Sequence, residues 1–94
     1  MIDGVKVMMG GKEWTVPALN FKQVRSLEPK LAASTEPGFD TLGFTVEVVQ
    51  MALSRNYPEL TVDEVEEMID LRNAPELFRV VMGQSGIVEA SPGE

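Results

Sequence analysis

Between residues 2 and 17 apolar and polar positions alternate: Val5, Val7 and Met9 are interleaved with Lys6 and Met8. After Gly10-Gly11 the run Lys12-Glu13-Trp14-Thr15-Val16 follows. This period predicts a β-hairpin whose Gly-Gly pair supplies the positive φ angles of a tight turn. Trp14 and Val16 then share one face, and the adjacent Met8 and Met9 point to opposite sides. Pro17 cannot donate to a ladder and ends the second strand. A lone hairpin is marginal in water, so its apolar face must pack on helices.

From Asn20 the period changes to three and four. Asn20 is a good N-cap, and Phe21, Val24, Leu27 and Leu31 mark the inner stripe of a helix over about 20–28, limited by Pro29. Ala32 to Gly38 reads as a connector within one domain. A second helix over about 40–55 carries Leu42, Val46, Val49 and Leu53 on one stripe, widened by Thr45, Val48 and Ala52. Apolar on most of its circumference and rich in β-branched residues, it must lie in the middle and be held by burial.

Asn56-Tyr57-Pro58 breaks that helix. Thr61-Val62-Asp63-Glu64 is a capping box opening a third helix over about 61–71, with Leu60 and Val65 placed to form a hydrophobic staple. Val62, Val65 and Ile69 face inward with Met68 beside them, and Asp63, Glu66, Glu67 and Asp70 line the outer face. Asn73 caps a fourth helix over about 73–83, with Pro75 in its first turn and Gly83 or Gly86 at its end. Its inner stripe is Leu77, Phe78, Val81 and Met82. The fold class expected is α+β: an N-terminal hairpin packed on about four helices, one domain over 1–84, then a flexible tail over 85–94.

Composition narrows the function. The 94 residues include no His and no Cys, which removes Ser-His-Asp triads, thiolate catalysis, disulfides and the usual zinc sites. Fifteen acids against eight bases give a net charge of −7, opposed to a phosphate backbone, so no nucleic-acid partner is expected. The trio Lys22, Arg25 and Lys30 reads as a solvated mixed-charge face. No apolar run reaches membrane-span length and the start lacks a signal-peptide pattern, so the expected address is cytoplasmic, with no membrane partner.

The acids of 63–70 lack the central Gly and alternating oxygens of a calcium loop and read as a solvated helix face. Gly83-Gln84-Ser85-Gly86 follows a helix instead of opening one and lacks the Lys of a phosphate loop. Hence no enzyme activity, cofactor or metal is expected. Six methionines fit an adaptable apolar surface as well as a core. Phe78, Met82, Ile87 and Val88 are the expected partner contacts, because the last helix and tail have the fewest intramolecular partners in view.

Three stretches carry a resemblance. Gly11-Lys12-Glu13-Trp14-Thr15-Val16-Pro17-Ala18-Leu19-Asn20-Phe21, then Ala52-Leu53-Ser54-Arg55-Asn56-Tyr57-Pro58-Glu59-Leu60-Thr61 with Val65-Glu66, then Asp70-Leu71-Arg72-Asn73-Ala74-Pro75-Glu76-Leu77 through Gly83-Gln84-Ser85-Gly86 resemble the small tail assembly chaperones of tailed phages and prophages, nearest the Mu-like type. The resemblance implies a bacterial host-cell protein, absent from the mature virion, that binds the tape measure protein and assists tail tube assembly through the tube protein. Readings kept beside it are a structural tail accessory or connector subunit and an unrelated bacterial protein-binding adaptor. Homo-oligomerisation is compatible with each.

Overall fold

The computed structural model describes residues 1–84, an α+β fold of one antiparallel hairpin followed by four helices. Strands β1 (Val5–Met9) and β2 (Lys12–Val16) pair with Val7 opposite Trp14 and Met8 opposite Glu13. Gly10 and Gly11 take φ of 61° and 77°, the left-handed angles the two-residue turn requires. As the alternation predicts, Met9, Trp14 and Val16 are buried while Met8 is 64% exposed.

Helix α1 (Phe21–Ala33) is longer than the expected 20–28. Pro29 lies inside it instead of ending it, and Ala32 and Ala33 belong to helix, not connector. Proline here removes the donor for the Arg25 carbonyl, but both residues face solvent, so water can serve that carbonyl. Asn20 and Gln23 form a reciprocal capping box, and the same Gln23 amide donates to the Met51 carbonyl of the next helix (2.9 Å). That rotation turns Gln23 inward and leaves Phe21, expected on the inner stripe, 76% exposed.

Helix α2 (Thr41–Leu53), capped by Asp40, is the central element, as its pattern demands. Val48, Val49, Ala52 and Leu53 are fully enclosed, and it packs on β2, α3 (Val62–Met68) and α4 (Ala74–Gln84). Buried Thr45 returns its hydroxyl to the Thr41 carbonyl (2.9 Å), so no polar atom there is stranded. Leu42, expected on the buried stripe, instead stands 56% exposed at the start of the helix.

Helix α3 opens with the Thr61–Glu64 capping box and buries Val65, with Leu60 partly buried against the same core. It ends at Met68 and not near residue 71, because Ile69 is extended (φ −93°, ψ 136°) and a tight turn follows. Val62, expected inward, is 42% exposed on the first turn. Helix α4 runs through Gly83 to Gln84. The expected tail over 85–94, with Gly86, Ile87 and Val88, lies outside the described residues.

Polar side chains tie these elements together. Asn56 bonds Ile2 through both backbone groups (2.6 and 2.9 Å) and donates to the Thr15 carbonyl (3.2 Å). The Tyr57 hydroxyl accepts from the Thr15 N–H (3.0 Å), Arg55 donates to the Ala18 carbonyl (2.6 Å), and Gln84 donates to the Val16 carbonyl (2.7 Å). Lys30 of α1 pairs with Glu47 of α2 on the surface.

Substitutions at two positions separate core packing from these polar ties. Val49→Asp places an unpaired charge inside α2 and should cost more than about 4 kcal/mol, abolishing the cooperative thermal transition seen by circular dichroism, whereas Val49→Ala should cost about 2 kcal/mol. Asn56→Ala should lower stability in urea by about 1–3 kcal/mol and speed exchange of the Ile2 amide, leaving the helices folded.

Candidate partner-binding surface

Helix α3 stops where Asp70 begins a turn. The Asp70 carboxylate accepts the N–H groups of Arg72 and Asn73 (both 2.9 Å), and Asn73 returns its side-chain oxygen to the Asp70 N–H (2.8 Å). The Asn73 amide also donates to the Met68 carbonyl (3.1 Å), closing the end of α3 as α4 begins. These backbone N–H bonds, from Asn73 first and Arg72 second, hold the Asp70 carboxyl below the ordinary aspartate range. Between them the turn lifts Leu71 into solvent, 75% exposed.

Beside Leu71 stands the exposed Leu42, on the first turn of α2. Two adjoining depressions of about 210 and 240 Å³ share Leu42, Leu71 and Ala74. One continues over Val46, Ile69 and Asp70, the other over Thr41, Thr45, Pro75 and Phe78. The result is a shallow apolar groove between the start of α2 and the α3–α4 turn. Beneath it Phe78 packs on Phe44 (5.9 Å between centroids), which stacks edge-on with Phe39 (5.4 Å). Either depression is smaller than a usual small-molecule pocket, and their apolar, open form suits a protein side chain.

Of the four expected contact residues, the structure brings only Phe78 to this groove. Met82 is fully buried and contributes core, not surface; its place on the inner stripe of α4 also puts it there. Ile87 and Val88 lie outside the described residues. Leu42 and Leu71 were missed for opposite reasons. Leu42 continues the buried stripe of α2 in spacing, and Leu71 sits inside what reads as helix until the Asp70–Asn73 turn is recognised.

A second, more open notch of about 420 Å³ is lined by Trp14, Tyr57, Pro58, Glu59, Leu60 and Glu64. Its polar groups already serve the fold: the Trp14 indole N–H donates to the Met9 carbonyl (2.8 Å), Tyr57 accepts from Thr15, and Glu64 closes the α3 cap. Lys12 places its ammonium 4.7 Å from the Trp14 ring centroid. Among the described residues no three acidic side chains gather as a metal site would need, and no helix is long and apolar enough to cross a membrane.

No known protein family, curated protein or solved structure matches the chain.

Titration offers a check on the turn. A carboxyl whose pKa is depressed by folding stabilises fully above its unfolded value and loses that contribution as pH falls through the folded one. The Asp70 side chain should therefore titrate by NMR below the ordinary aspartate value of about 3.9. Amide exchange at Arg72 and Asn73, corrected for its intrinsic pH dependence, should rise as pH drops through that lowered midpoint.

Proposed function

We propose that the protein is a non-enzymatic tail assembly chaperone of the phage or prophage kind, holding an apolar helical segment of the tape measure protein in the Leu42–Leu71 groove. The observation that carries this reading is that two leucines, 56% and 75% exposed, stand side by side over an apolar floor. Single exposed apolar residues are common; a leucine pair over such a floor is the form taken by helix-in-groove recognition. The resemblance of residues 10–88 to tail assembly chaperones supplies the partner's identity.

The physical demand on such a protein agrees with the surface. A tape measure protein is a long helical chain whose apolar seams aggregate when bare. A small cover with net charge −7 keeps the complex soluble, and repeated weak contacts along one long chain add up by multivalency. A helix laid along the groove would present residues at i and i+4 to Leu42 and Leu71.

Co-expression with the tape measure protein encoded nearby is the test. The chain should raise the soluble fraction of that protein, and Leu42→Asp with Leu71→Asp should remove the effect while circular dichroism and melting temperature stay near those of the unaltered chain. An unchanged soluble fraction with the unaltered chain would sink the chaperone reading. Detection of the chain in purified mature particles would favour a structural tail subunit.

A further inference from the structure

The two long edges of the hairpin differ. Along β2 the Thr15 N–H and C=O are taken by Tyr57 and Asn56, and Gln84 reaches the Val16 carbonyl at its end. The two Thr15 bonds fix the phase of the ladder. Thr15 turns its backbone groups away from β1, so its partner Lys6, and Met8 two residues on, turn theirs outward along the opposite edge. Among the described residues nothing meets them. The preceding arm does not cover this edge either. At Gly4 the chain presses against the far strand, where an added Cβ would collide with the Val16 carbonyl, and Ile2 beyond it is held by Asn56.

We infer that the β1 edge pairs antiparallel with the β1 edge of a second copy of this chain, Val7 facing Val7 across a two-fold axis. Symmetry and the outward phase leave few registers. Centring on Lys6 sets two ammonium groups directly opposite, which is unfavourable. Centring on Met8 matches Lys6 with Gly10, which has left the strand at φ 61°. Centring on Val7 engages every free rung: Lys6 of each copy bonds Met8 of the other, and no like charges stand directly opposite.

The side chains fit that arrangement. The Lys6 stem lies over the exposed Met8 thioether of the second copy on the outer face. On the inner face burial falls along β1 from enclosed Met9 through half-buried Val7 to exposed Val5, and the second strand covers what the helices leave open. A few backbone bonds and this small apolar area make a weak, concentration-dependent dimer, below the size of a standard interface. It uses a different face from the Leu42–Leu71 groove, so its test is independent of the chaperone reading.

Sedimentation velocity of the full chain from about 10 µM to about 1 mM should show reversible monomer–dimer exchange. Met8→Lys sets a new ammonium against Lys6 of the other copy, twice per dimer, and should weaken association on the order of tenfold, while pairing better with Glu13 inside its own hairpin. Met8→Glu should tighten it by a similar factor. The pair Lys6→Glu with Met8→Lys should restore association lost in Met8→Lys alone, and this arm stands even where Met8→Glu weakens the hairpin against Glu13. A chain that stays monomeric to about 1 mM overturns the proposal, as does a dimer indifferent to all three changes.

Discussion

The fold depends on enclosing α2. A helix with Phe44, Val46, Val48, Val49, Ala52 and Leu53 around it has little surface to give to water, and its β-branched residues give it little intrinsic preference for helix. It persists because β2, α3 and α4 pack on it and α1 lies alongside through Leu27, the Gln23–Met51 bond and the Lys30–Glu47 pair. The short partners gain as much as they give. A seven-residue helix and a two-stranded ribbon are each marginal alone, and both find their apolar face covered by the same rod.

Burying a ribbon of two strands leaves backbone groups that a larger sheet would satisfy with a third strand. Here side chains take that place. Asn56 and Tyr57 meet the outer edge of β2 at Thr15, Gln84 reaches the Val16 carbonyl at its end, and the Asn56 amide pairs with Ile2 much as a peptide group would. The segment after α2 thus closes one edge and anchors the N-terminal arm at once. The edge of β2 is thus closed at Thr15, whereas the β1 edge, where exposed Met8 also lies, has no such side chains against it among the described residues.

The groove arises at the place where the enclosure of α2 runs out. Helix α3 ends early, and the Asp70–Asn73 turn carries the chain past the first turn of α2 without covering it. Leu42 is left bare, and the turn that leaves it so also raises Leu71 beside it. Capping chemistry in one turn therefore decides both the length of a helix and the presence of a surface. The Phe39–Phe44–Phe78 contacts tie Phe78 of its lining to the core.

Local chemistry was enough to determine several features from sequence: the Gly-Gly hairpin, the Thr61–Glu64 cap, the opposed Met8 and Met9, and the central place of α2. Each rests on spacing or on bonds within a few residues, which no distant element overrides. Tertiary structure decided the rest. Pro29 passes through α1 because the carbonyl it orphans faces solvent, and Phe21 turns outward because Gln23 claims the inner position for Met51. Leu42 carries the spacing of a core residue but not its burial, since burial depends on what packs opposite and no periodicity records where a neighbouring helix stops.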